Sequence, residues 1–218
     1  MKIKVCGMRN PQNILSLANL NPDYIGLIFY PESKRYVSDP DEAVLSSLPS
    51  SIKLTGVFVD EKEEEVFQKV ITYGLSAVQL HGTESPLYCE NLRKMFKNQL
   101  PAVKIDLIKA FGVYSGFDFS TLEVYNDVVD YFLFDTKTSD HGGSGIVFDW
   151  TILDQYVGEK MFFLSGGLSP ENVEGIFNLA TKKIHALDLN SKFETEPGLK
   201  NIESLKSAFQ LIRANTIS

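Results

Sequence analysis

The chain is 218 residues long, 44% hydrophobic and 22% charged, with 21 basic against 28 acidic side chains and a net charge of −7. Lysine and arginine never run beyond two in a row, which argues against nucleic acid and anionic membranes as partners. Apolar runs fall short of the roughly 18 residues a spanning helix needs, and the opening MKIKVCG is too short and polar for a secretion signal, so a cytoplasmic location is expected.

Taken in order, eight short apolar runs read as fully buried strands: Ile3–Cys6, Tyr24–Phe29, Leu54–Val59, Ala77–Leu80, Ala102–Ala110, Tyr131–Phe134, Met161–Leu164 and Ile184–Leu189. Helical signals lie between them. Asn10-Pro11, Asp39-Pro40, Ser85-Pro86 and Ser169-Pro170 each pair an N-cap residue with a proline suited to the first helical position. Asp39 with Glu42, and Asp60 with Glu63, resemble capping boxes. Val66, Val70 and Tyr73, then Val173, Ile176, Phe177 and Ala180, then Ile202, Leu205, Phe209 and Ile212 follow helical spacing. Gly112–Phe119 reads as a loop, and only TILDQYVGEK is left to serve as a sixth helix. Strand and helix alternate in eight units of about 27 residues with no composition break. That pattern predicts an α/β chain forming a single (β/α)8 TIM barrel domain over residues 1–218.

In such a barrel the residues just after each strand share one rim, where substrate chemistry is found. The first strand delivers Cys6, the second Arg35, the fourth His81 and the sixth Asp135. Asp135 opens into a loop bearing Gly142, Gly143, Ser144 and Gly145, and the helix after it is expected to begin near Phe148 and Trp150. The seventh strand leads to Ser165, Gly166 and Gly167, and the eighth to Asp188, Asn190 and Ser191. Bare backbone N–H groups in the two glycine-rich loops suit a phosphate, and Asp188, Asn190 and Ser191 stand beside them.

Cys6 and Asp135 are a candidate base and acid for abstracting a proton next to a carbonyl or imine. A thiol serves as base only if its pKa is lowered, and a carboxyl as acid only if its pKa is raised. Taken alone, Cys6 reads more readily as a small buried hydrophobe at a strand end. Arg35 fits a carboxylate or phosphate, and His81 either touches substrate or is structural. His141 and His185 sit in no motif. Cys6 and Cys89 show no metal spacing, and reduced thiols are expected rather than a disulfide.

Six blocks in collinear order resemble the phosphoribosylanthranilate isomerase family of tryptophan biosynthesis: KVCGMRN, GLIFYPESKRYVS, GVFVD, VQLHG, FDTKTSDHGGSGIVFDW and LSGGLSPENV. The resemblance implies an Amadori rearrangement of N-(5'-phosphoribosyl)anthranilate to 1-(2-carboxyphenylamino)-1-deoxyribulose 5-phosphate. It implies Asp135 as the acid that opens the ribose ring, Cys6 as the base that removes the C2' proton, and Arg35 on the anthranilate carboxylate. It also implies a phosphate site at Gly143–Gly145, Ser165–Gly167 and Asn190–Ser191. The partner would be a small phosphorylated substrate, with no cofactor, and the chain a monomer or homodimer. Another phosphosugar isomerase, or a non-catalytic phosphate-binding barrel, remain the alternatives. The eighth block departs from the family's DVSSGVE…PGxKD: in DLNSKFETEPGLKN, Lys192 stands where glycine is usual and Asn201 where aspartate is. Either the loop takes another path, or the Lys192 ammonium lies near the phosphate rim in place of a lost N–H contact.

Overall fold

The computed structural model describes residues 1–136, 150–179, 181 and 183–215. Eight parallel strands pair in sequence order and close: β1 Lys2–Val5, β2 Tyr24–Ile28, β3 Lys53–Phe58, β4 Ala77–Leu80, β5 Asp106–Val113, β6 Tyr131–Thr136, β7 Phe162–Ser165 and β8 Ile184–Leu189, with β8 returning to β1. Five α-helices lie outside: α1 Pro11–Ala18, α2 Glu42–Ser46, α3 Glu63–Tyr73, α4 Pro86–Gln99 and α5 Ile202–Ala214. Short 3-10 helices at Phe119–Tyr125, Trp150–Gln155 and Val173–Asn178 stand where the fifth, sixth and seventh helices would be. A small antiparallel ribbon, β9 Glu194–Glu196 with β10 Leu199–Lys200, follows β8. Among the described residues no helix is long and apolar enough to cross a membrane.

Several expected boundaries move. β5 begins at Asp106, because Val103 is exposed, and it extends to Val113, taking in the start of the stretch read as a loop. α2 is capped by Asp41, which accepts from the Val44 N–H at 3.0 Å, and Asp39 instead accepts from the Tyr73 hydroxyl. α3 has no side-chain cap; Asp60, expected to supply one, accepts from the N–H and hydroxyl of Thr83 across the rim. Ser169-Pro170 precedes a 3-10 helix rather than an α-helix, and the cap position falls on Asn172. Ala180 lies outside the described residues. Asn10 and Ser85 cap α1 and α4 as the spacing predicts.

The core has two parts. Outward strand faces pack on the helices, while Tyr24, Ala77, Ile108, Ala110, Leu133, Phe163 and Ala186 fill the barrel interior. Side chains alternate across a strand, so the inward residue two positions further on stands one layer higher, toward the strands' C-terminal ends. Those residues are Gln79 after Ala77, Asp135 after Leu133, Ser165 after Phe163 and Asp188 after Ala186. The packed interior is the floor of the cleft above it.

At the opposite mouth of the barrel, buried His185 stacks on Tyr131 at 4.1 Å and is hydrogen-bonded to the Tyr24 hydroxyl at 3.0 Å. Burial, followed by the Lys2 charge on β1, pulls its pKa down to about 4; Lys53 on β3 acts in the same direction, against Asp106 on β5 and Asp23 beside β2. A base held neutral in the folded state binds fewer protons than in the unfolded chain, so stability falls as pH drops from about 6.5 to about 4 and then levels. His185→Gln is expected to reduce the loss of unfolding free energy between pH 7 and 4.5 by about 2 to 3 kcal/mol in denaturant titrations. An unchanged pH dependence would contradict this.

Candidate active site

One cleft at the C-terminal ends of the strands is lined by every described residue that the sequence nominated: Cys6, Arg35, His81, Asp135, Ser165, Gly166, Gly167, Asp188, Asn190 and Ser191. Gly142, Gly143, Ser144 and Gly145, with His141 and Phe148, lie outside the described residues. Trp150 opens a 3-10 helix and is buried. Among the described residues no group of three or more His, Cys, Asp or Glu is placed to hold a metal ion.

Cys6 directly follows β1 and is buried, its N–H donating to the Leu189 carbonyl at 3.0 Å. Gly26 on β2 leaves room for the sulfur, since a Cβ there would lie 2.7 Å from Sγ. Beneath it, on the same inward face, Lys4 is fully buried and its Nζ donates to Asp188 Oδ2 at 2.8 Å. Among the described residues the other Asp188 oxygen, Oδ1, is buried without a partner. Burial outweighs the Lys4 ammonium, its main opposing influence, and Lys200 after it, so the Cys6 thiol stands above its ordinary range and the lowering expected of a base is not met. Burial also pulls Lys4 down, but Asp188 and Cys6 outweigh it and hold the ammonium above its ordinary range.

Asp135 stands in β6, three strands from β1 around the closed barrel, so it faces the thiol across the cleft. His81 Nε2 lies 3.4 Å from Asp135 Oδ2, and His81 Nδ1 is hydrogen-bonded to the Gln79 amide nitrogen at 2.9 Å. His81 is therefore tied to the aspartate and to the strand below it while it lines the cleft.

The loop after β2 doubles back, with Tyr36 bridging Ile28, and lays the Arg35 stem against Gly7. Gly7 has φ +77°, and a Cβ there would lie 2.5 Å from Arg35 Cδ. Arg35 already holds an internal partner: Nε donates to Glu194 Oε1 at 2.8 Å and Nη2 to Oε2 at 2.6 Å. Glu194 also accepts from buried Lys200 at 2.6 Å and from the Gly198 N–H at 3.1 Å. Burial pushes the Glu194 carboxyl up, but Arg35 and Lys200 outweigh it and hold it below the usual carboxylate range.

After β7, Gly166 and Gly167 take φ +86° and +68°, the left-handed turn that needs glycine. After β8 the chain turns at Asn190 with φ −142° and ψ −105°, and Lys192, where glycine is usual in the family, does not take a positive φ. Lys192 sits in the 3-10 turn Ser191–Phe193, exposed, with its charge acting on Glu171 of the preceding loop. Lys192 is not among the residues that line the cleft.

Sequence reading passed over four residues of this neighbourhood: Lys4, Gln79, Glu194 and Lys200. Two carried a signal. Lys4 and Gln79 are polar positions inside apolar strands, each two residues before a rim residue and therefore on its face.

The chain resembles known proteins over nearly its whole length. A relative from Parabacteroides distasonis, an N-(5'-phosphoribosyl)anthranilate isomerase, is 47% identical over 214 residues, covering 97% of this chain and 93% of its own length. The crystal structure of phosphoribosyl anthranilate isomerase from Thermotoga maritima superposes with a TM-score of 0.84 at 33% identity, over 98% of this chain and 99% of that one. Another crystal structure, of phosphoribosyl anthranilate isomerase in complex with reduced 1-(o-carboxyphenylamino)-1-deoxyribulose 5-phosphate, gives 0.82 at 30% identity over 98% and 99%. The sequence model of the family matches residues 3–211, from the first strand into the last helix, and with that match the chain belongs to the N-(5'-phosphoribosyl)anthranilate isomerase family.

Proposed function

We propose that this barrel carries out the family's aldose–ketose isomerisation, with Asp135 as general acid and Cys6 as general base. The observation that carries the reading is the shared cleft: a thiol on one wall and a carboxyl three strands away on the other. The substrate is N-(5'-phosphoribosyl)anthranilate, lying between them with its phosphate toward Gly166–Gly167 and Asn190–Ser191 and its carboxylate toward Arg35. Gly143–Gly145 belong to the same phosphate site in this reading, and Asp188, with its unpartnered oxygen, accepts from a ribose hydroxyl. The reaction belongs to tryptophan biosynthesis in the cytoplasm.

The steps follow from where protons must go. Asp135 gives its proton to the ribose ring oxygen as the C1'–O bond breaks, and the anthranilate nitrogen lone pair forms the C=N bond. The Cys6 thiolate then takes the C2' proton. The electrons of that C–H bond form C1'=C2', and the C=N pair returns to nitrogen, giving an enolamine. Loss of the enol proton and protonation of C1' yield the ketone, so no oxidant or reductant is consumed. Lys4 supports the second step by favouring thiolate over thiol.

The test is an activity assay of the purified protein, following the loss of phosphoribosylanthranilate fluorescence. Turnover is expected; none, under conditions where a known family enzyme is active, would overturn the reading. A second expectation concerns Gly7. Gly7→Ala forces both a strained φ and a clash with the Arg35 stem, so KM should rise about tenfold, with about 1–3 kcal/mol lost in stability. Steady-state kinetics and denaturant unfolding measure the two, and an unchanged KM would separate Gly7 from the clamp.

A further inference from the structure

We propose that Glu194 is a positioning residue that fixes which edge of the Arg35 guanidinium meets the substrate, and so sets the preference for a substrate bearing a carboxylate. The proposal rests on the reading of Arg35 as the carboxylate clamp.

A guanidinium has five N–H donors in a rigid plane. Glu194 takes the side edge of Arg35, through Nε at 2.8 and 3.0 Å and Nη2 at 2.6 Å. Among the described residues nothing accepts from Nη1, so the end of the fork remains for a second carboxylate. A long, flexible side chain is thereby held in one orientation before substrate arrives, which lowers the entropic cost of binding.

A buried carboxylate beside an anion site would ordinarily repel the ligand. Here Lys200, fully buried, contacts Glu194 at 2.6 Å, so the set Arg35, Glu194 and Lys200 keeps one net positive charge. The same Lys200 ammonium donates to Asn190 Oδ1 at 2.7 Å, in the loop where the phosphate is placed. One chain of contacts thus spaces the groups assigned to the substrate's two anionic ends.

The test compares the binding of two probes by calorimetry. One is reduced 1-(2-carboxyphenylamino)-1-deoxyribulose 5-phosphate; the other is its phenylamino counterpart without the carboxylate. In the wild type the carboxylated probe should bind more tightly. In Glu194→Gln that advantage should shrink about tenfold, with the phenylamino probe unchanged, KM raised and kcat within about twofold. Equal weakening of both probes would mean that Glu194 only staples the loop. Tighter binding of the carboxylated probe would make Glu194 a competitor for Arg35, and no change would make it irrelevant; each overturns the proposal. If Glu194→Gln fails to fold because Lys200 loses its partner, Glu194→Gln with Lys200→Met removes both charges and must shrink the carboxylated probe's advantage as far, beyond any weakening of both probes through the lost Lys200–Asn190 contact. A wild type indifferent to the carboxylate would instead refute the clamp reading of Arg35 itself, whereas an inactive Cys6→Ala or Asp135→Asn bears only on the acid–base assignment.

Discussion

Cys6→Ala and Asp135→Asn should each lower kcat about a thousandfold while KM changes only a few-fold, because each removes a group proposed to transfer a proton and leaves the proposed phosphate and carboxylate contacts in place. The two variants fail at different steps. Without the Asp135 proton the ribose ring opens slowly and the imine hardly forms. Without the Cys6 sulfur the imine forms but keeps its C2' hydrogen. Substrate deuterated at C2' separates them: Cys6→Ser, a weaker base in the same place, should show a larger isotope effect on kcat than the wild type. Asp135→Asn should show little, since ring opening then limits the rate. Near-normal turnover in either Cys6→Ala or Asp135→Asn, measured by steady-state kinetics, would refute the assignment.

The second large effect is on stability. Lys4→Met is expected to cost about 3–5 kcal/mol of unfolding free energy, because it strands the Asp188 carboxylate in the barrel interior. Lys4 is wholly buried and Asp188 is 4% exposed, so water cannot take the place of the lost ammonium. Adding Asp188→Asn removes the stranded charge and should restore most of the loss, a coupling that denaturant titrations of both variants measure. The deficit of the single variant should shrink in acid, where protonation of Asp188 neutralises it. Lys4 is also the main group opposing the upward push of burial on the Cys6 thiol, so the rising limb of kcat against pH should move to higher pH. A loss below about 1 kcal/mol would place the pair among ornamental contacts.

What the sequence disclosed follows from how far each signal reaches. Parallel strands buried on both faces are apolar throughout, and β4 and β8 fall where the runs Ala77–Leu80 and Ile184–Leu189 place them. β5 was displaced because Ala102 and Val103 are apolar yet exposed, and apolar character alone does not report burial. Asn10 and Ser85 cap as expected because capping needs only the next turn of chain. Asp39 and Asp60 do not, because donors far along the chain, Tyr73 and Thr83, claim their oxygens. The rim residues were visible because barrel topology sends every strand end to one place. Glu194 and Lys200 were not, since charged residues beyond the last barrel strand look solvated until their partners in the loops after β2 and β8, Arg35 and Asn190, are known.

The pairing of β8 with β1 also sets a timetable for synthesis. Lys4 and Asp188 are 184 positions apart, so at about 5–20 residues per second the ribosome needs roughly ten to forty seconds to make the second after the first. Until then β1 has no β8 to pair with, and the cleft beside the Cys6 sulfur lacks Asp188, Asn190 and Ser191. The cleft therefore has all its described walls only once the last strand has closed the ring.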